Sequence, residues 1–183
     1  MRPVVTGVRG TLFSVTVVVL TLTVSVLALS IGSRIIAAEE ISSDSIDAST
    51  ESVLSELFPD ADAFEAQEIG DRIVYLAFET GEPAGRGTRF EAAGYGGAIE
   101  VFVAVDRDGK IIAVRVLSHS ETPGLGDVIT SDDFLSHFAG MSAGDPIEVG
   151  HDIDLISGAT ASVTGVTRAV RSAIDILAQP EAL

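Results

Sequence analysis

Residues 99–117 read IEVFVAVDRDGKIIAVRVL. Two runs, Ile99–Val105 and Lys110–Leu117, are rich in Val and Ile, and Asp106–Arg107–Asp108–Gly109 stands between them. β-Branched side chains suit a pleated, half-buried surface, and Asp-Gly supplies the positive φ of a tight turn, so the stretch predicts an antiparallel hairpin. Upstream, Arg72–Phe78 (RIVYLAF) has the composition of a further strand, and the glycines of Gly81–Gly87 mark a loop after it. Downstream, Pro123, Gly124 and Gly126 make Ser118–Gly126 (SHSETPGLG) a shaped loop. Ser131–Asp132 can cap a helix running to about Phe138.

The last element has a different period. Val163, Val166, Val170, Ile174 and Leu177 recur at spacings of three and four, which places them on one face of a helix. That helix starts within Ser157–Thr160, with Ser157 as candidate N-cap. Strands mixed with a few helices, without βαβ alternation, give an α+β domain.

The N-terminal part is built for another solvent. Between Arg9 and Arg34 lie 24 residues without a charge. That exceeds the roughly 20 needed to cross a hydrocarbon core as a helix. A signal peptide's apolar core is only about 7–15 residues, so the run reads as a retained anchor. Arg2 and Arg9 precede it while Glu39, Glu40 and Asp44 follow, and positive charge stays on the cytoplasmic side. The expected organisation is a cytoplasmic N-terminus (1–9), a transmembrane helix (10–33), an acidic linker with a short helix around Ser52–Phe58 (34–58), and one extracytoplasmic domain (59–183).

Composition removes several chemistries. The chain has no cysteine, which excludes thiolate catalysis, iron–sulfur ligation and disulfides. From Ile35 onward 8 basic residues face 27 acidic ones, a balance of −19. Such a surface repels nucleic acid, and it reads as a solvated acidic face or as adaptation to high salt. His119, His137 and His151 fall in different elements without metal-ligand spacing, so no metal site is expected.

The chemistry concentrates at Asp154–Thr164, DLISGATASVT. Ser157–Gly158–Ala159–Thr160 lies where an extended run meets a helix N-terminus, whose free N–H groups and positive dipole end favour a phosphate. Small residues at a helix start are usually an ordinary cap. The segment resembles, however, the S/T-G-A-T motif of the FMN-binding domain family. Residues 94–126, GYGGAIEVFVAVDRDGKIIAVRVLSHSETPGLG, resemble the G subunit of the Rnf electron-transport complex, and less closely the C subunit of the sodium-pumping NADH:quinone reductase.

That resemblance implies FMN joined covalently through its phosphate to Thr160 by a flavin transferase. It also implies a flavin pocket formed by Tyr95, by Glu121, Thr122, Pro123, Gly124, Leu125 and Gly126, and by Ser157, Gly158 and Ala159. The parent complex would couple ferredoxin and NAD electron exchange to sodium or proton movement. The chain would then be a single-pass subunit of the cytoplasmic membrane among other membrane subunits, with no independent catalysis and no catalytic residue of its own. Two other readings stay open, a stand-alone extracytoplasmic flavin reductase and a scaffold module without flavin. Asp152 and Asp154 read as solvated carboxylates, and Arg168 and Arg171 lie too far along the last helix to be assigned to a phosphate.

Overall fold

The computed structural model describes residues 46–179, and the expected transmembrane helix at 10–33 lies outside them. Among the described residues no helix is long and apolar enough to cross a membrane. The order of elements is α1 (Ala48–Leu57), β1 (Ala63–Ile69), β2 (Arg72–Glu79), β3 (Glu82–Ala93), β4 (Ala98–Asp106), β5 (Ile111–His119), a 3-10 turn at Gly126–Thr130, α2 (Asp132–Ser136) and α3 (Thr160–Leu177).

The five strands form one antiparallel meander in sequence order, β1-β2-β3-β4-β5. The expected hairpin is its β4–β5 pair, in which Val101 faces Val116 and Val103 faces Val114. Asp106 holds the turn, its Oδ1 accepting from the N–H groups of Asp108 and Lys110 at 2.9 Å each. Gly109 there takes a φ of 78°.

The two sheet faces carry separate cores. On one side α3 buries Val163, Val166, Val170, Ile174 and Leu177 against Ile99, Val101, Val103 and Val105 of β4, within a single cluster. Ser131 accepts from Phe134 N–H and caps α2 as expected, placing Phe134 and Leu135 in the same cluster. On the other side α1 buries Leu54, with Phe58 beyond its end, against Tyr75, Ala77, Phe102 and Ala104.

Three differences from the sequence reading have physical causes. The segment Gly81–Gly87 is not a loop: only Thr80–Gly81 turns, and β3 runs from Glu82. A side chain at Gly85 would meet the ring of Phe58, and one at Gly87 the ring of Phe102. These glycines therefore sit in a strand because aromatic rings cover them, as rings cover strand glycines elsewhere. Helix α1 begins at Ala48, four residues before the expected Ser52, because Asp47 accepts from the N–H groups of Ser49 and Thr50 at 3.0 and 3.1 Å. Finally β1, AFEAQEI, is a strand without a clear sequence signal: its glutamates Glu65 and Glu68 belong to an edge strand, where charge discourages further pairing.

Two contacts fix α3 on the sheet. At Gly165 the helix lies so near β3 that a Cβ would stand 2.6 Å from the Ala93 carbonyl oxygen. At the other end the buried Arg86 of β3 donates from Nε to the Leu177 carbonyl at 2.8 Å, placing a cation at the negative end of the helix dipole. Burial pushes the Arg86 guanidinium below its ordinary pKa, and Asp106 acts in the opposite direction.

Gly165→Ala tests the first contact. In an open helix the change would stabilise by about 1 kcal/mol through propensity. Here the new methyl must push α3 off β3, and overpacking of this kind costs about 1–3 kcal/mol. Urea unfolding should show a net loss of stability, and a gain would mean the helix does not lean on Ala93.

Candidate functional site

The loop Gly94–Gly97 joins β3 to β4 at the end of the sheet where β5 also finishes, since Ala93 pairs with Ala98 and Ile99 with His119. Gly165 holds the N-terminal half of α3 against this same end. Between these segments and the loop after β5 lies a cavity of about 220 Å³. Tyr95 lines it from the first loop, and Glu121, Thr122, Leu125 and Gly126 from the second. Gly158 and Ser162 close it from the start of α3. Sites that bury a whole ligand usually enclose about 300–1,000 Å³. The smaller volume suits a group held partly at the surface, and the rim is apolar: Tyr95 is 81% exposed and Leu125 53%.

The anchor of this arrangement is Glu121, a carboxylate with 5% of its surface exposed. Its Oε1 accepts from Gly96 N–H at 3.0 Å, and its Oε2 accepts a short hydrogen bond from Ser162 Oγ. Its own N–H donates to His119 Nδ1 at 3.2 Å, which gives that histidine a structural partner. Room for the carboxylate is made by glycines. A Cβ on Gly94 would collide with Oε1, and one on Gly126 would stand 2.5 Å from Oε2 and 2.9 Å from Ser162 Oγ.

The start of α3 differs from the other helix starts. Asp47 caps α1 with Glu51 in its first turn, and Ser131 caps α2 with Asp132 and Asp133 in its first turn. Helix α3 has neither an acidic residue in its first turn nor a side-chain cap. Ser157, expected as the cap, is exposed, and Ala159 holds the cap position instead. The reason is Gly158: its φ of 84° turns the chain so that Ala159 N–H bonds to the Ile156 carbonyl at 3.0 Å, and the helix opens one residue later. Val163 is the first residue to donate back into the helix, to Ala159 O. The N–H groups of the first turn are thus left for an external acceptor, at the positive end of the longest helix described. Thr160 is its first residue and is exposed.

Of the residues singled out from sequence, Tyr95, Glu121, Thr122, Leu125, Gly126 and Gly158 meet at the cavity. Ala159 is buried in the core beside it, and Ser157 and Thr160 lie exposed on the turn into α3. Pro123 and Gly124 do not line it. Gly124, with φ 78° and open space where a Cβ would go, shapes the loop through its backbone while its N–H donates to Asp127 Oδ1 at 2.9 Å. Ser162 is a lining residue that sequence reasoning misses, because a small polar residue on a buried helix face carries no signal until its partner is known.

The remaining charged residues fall elsewhere. Among the described residues no group of histidines and carboxylates could hold a metal ion. His151 pairs with Asp152 at 2.8 Å on the surface, and the hydrogen bond from that carboxylate raises the histidine's pKa. Arg168 and Arg171 line a separate groove of about 430 Å³ along α3, where Arg171 donates to the carbonyls of Asp145 and Pro146. That groove is larger, and its Arg171 is tied to backbone carbonyls. The chemistry-bearing residues converge on the smaller cavity.

Residues 94–175 match the FMN-binding domain family. The chain is 37% identical over 132 residues to the G subunit of the ion-translocating oxidoreductase complex of Stutzerimonas stutzeri, covering 66% of this chain and 58% of that protein. The protein of the same name from Vibrio atlanticus (strain LGP32) is 36% identical over 138 residues, 68% of this chain and 66% of its own length. Among solved structures, Shewanella oneidensis NqrC is 30% identical with a TM-score of 0.48, covering 55% of this chain and 54% of that one. The chain spans about half to two thirds of the length of the curated relatives it matches.

Two glycines of the second loop should respond differently to substitution. Gly124→Ala meets only left-handed backbone strain, about 1–2 kcal/mol, and Gly124→Asn should recover most of that because Asn tolerates this conformation. Gly126→Ala must displace Glu121 instead, at about 1–3 kcal/mol, and Asn there should recover nothing. Urea unfolding of the four variants checks the contrast. Recovery at Gly126 and not at Gly124 would reverse it.

Proposed function

Since the chain belongs to the FMN-binding domain family over residues 94–175, we propose that it is the G-type electron-transfer subunit of an Rnf-type ion-translocating oxidoreductase, carrying FMN joined through its phosphate to Thr160 Oγ1. The observation that carries this reading is the start of α3. In a chain with 27 acidic residues, that helix alone among the described ones opens without a carboxylate, without a side-chain cap and with an exposed hydroxyl. A phosphate there would take the first-turn N–H groups and offset the helix dipole.

The other residues fit the rest of the group. Gly158 presents no side chain to an approaching phosphate, and its backbone already lies against Leu125, whose Cδ2 would be 3.1 Å from a Cβ. The exposed faces of Tyr95 and Leu125 offer apolar contact to a flat ring at the cavity mouth. When bound, FMN supplies the ability to accept an electron pair and release it one electron at a time, which suits a relay between unlike carriers. The chain's part is to hold, orient and tune that group. No nucleophile or proton-transfer pair is required of it, so it acts within a larger assembly and not as an independent catalyst.

The uncharged run 10–33 would anchor the subunit in the cytoplasmic membrane with the domain outside, beside the other membrane subunits of the complex. Covalent attachment by a flavin transferase would then prevent loss of the group into a space where it is not replaced. The complex would couple ferredoxin and NAD electron exchange to sodium or proton movement.

The chain produced with a flavin transferase should run as a fluorescent band on a denaturing gel. Its intact mass should rise by about 438 Da, one FMN moiety attached as a phosphoester. Thr160→Ala should abolish both signals, and fluorescence persisting in that variant would move the attachment to another hydroxyl. Protease added to intact spheroplasts should digest the domain after Arg34, whereas protection until the membrane is broken would place the domain in the cytoplasm.

A further inference from the structure

Glu121 is the one carboxylate among the buried residues described, and nothing in the attachment of a phosphate to Thr160 uses it. Its contacts reach two walls of the cavity. One oxygen holds Gly96, in the loop that carries Tyr95; the other holds Ser162, in the first turn of α3. Two glycines, Gly94 and Gly126, are needed where they stand because any side chain would enter the space of this carboxylate. A buried carboxylate is costly to keep in a protein interior unless its lone pairs are engaged, and a neutral hydrophobic plug would hold two backbone segments together at lower cost. The charge itself is therefore the property to explain.

We infer that Glu121 is a positioning residue with an electrostatic role: its carboxylate latches the Tyr95 loop to α3, and its fixed negative charge at the cavity wall sets a low reduction potential for the redox group held there. Adding electrons to a flavin adds negative charge, and a carboxylate facing that group in a partly desolvated cavity opposes the addition. The latch keeps the charge at the wall, since both oxygens are tied and the side chain cannot swing to solvent. The inference on potential rests on the assignment of FMN to Thr160; the latch rests on the protein's own hydrogen bonds.

Three full-length variants separate the two roles. In Glu121→Gln the amide oxygen still accepts from Gly96 N–H and the amide group still reaches Ser162 Oγ, so the latch stays and the charge goes. Glu121→Ala removes both. Ser162→Ala cuts one arm of the latch, and serves where Glu121→Ala does not yield folded protein. In the unflavinylated chain, amide exchange at Gly96 should stay slow in Glu121→Gln. It should quicken by up to about tenfold in Glu121→Ala and Ser162→Ala, the factor expected for one lost hydrogen bond of ordinary net strength.

With flavin attached, the midpoint potential of Glu121→Gln should be more positive than that of the parent. Unchanged exchange at Gly96 in both alanine variants would overturn the latch. An unchanged or more negative potential in flavinylated Glu121→Gln would overturn the electrostatic role. If the parent chain takes no covalent flavin, the assignment of Thr160 fails and the potential claim with it, while exchange at Gly96 still decides the latch.

Discussion

The contact on which the site depends is a backbone one, Gly165 of α3 against the carbonyl of Ala93. With a hydrogen where other residues carry a methyl, the helix can lie on the last residue of β3, directly ahead of the Gly94–Gly97 loop. Its first turn is then carried to the end of the sheet, and Ser162 comes within reach of Glu121. Arg86 secures the far end by occupying the Leu177 carbonyl, so the helix has one end closed by protein and the other left open. The cavity is the by-product of that asymmetry.

Electrostatics gives the open end its meaning. The domain is strongly acidic, yet the first turn of α3 is free of carboxylates while α1 and α2 each begin with at least one. Two helix starts satisfy their dipoles internally and the third does not, which is what the proposed phosphate at Thr160 would use. The buried carboxylate of Glu121 lies a short way behind it. An anion at the helix start would be repelled by a negative wall behind the cavity, and Glu121 would be kept from approaching it because its lone pairs are committed to Gly96 and Ser162. In the proposed arrangement the helix start would meet the phosphate of the group and the carboxylate would face its ring.

What can be read from sequence are the features set by local rules. The Asp-Gly hairpin and the apolar face of α3 follow from turn chemistry and periodicity, and both stand in the structure where they are expected. That a helix opens at Ser157–Thr160 is legible too, though not its cap: only the fold shows that Gly158 turns the chain so that Ala159, not Ser157, precedes the helix. Features created by residues distant in sequence are hidden. Gly85 and Gly87 look like loop glycines until Phe58 and Phe102 are seen to cover them. Ser162 is simply one small residue in a helix until Glu121, 41 positions earlier, meets it. The serine-rich stretch before α1 resembles a linker because its cap, Asp47, is the residue type that both linkers and helix starts favour.

The clasp at the beginning of the domain has a mechanical side. Asp47 caps α1 and also accepts from Arg89 of β3, which in turn donates to Glu100 of β4 at 3.2 Å. Phe102 and Gly87 lie on that same face of the sheet, away from α3. A pull on the chain ahead of Asp47 would therefore load the clasp first, and through Arg89 it would be shared with β3 and β4. The tension would end on the far side of the sheet from Glu121 and Thr160. A domain moored at its N-terminus can in this way be tugged and reoriented without disturbing the distances on which electron passage would depend.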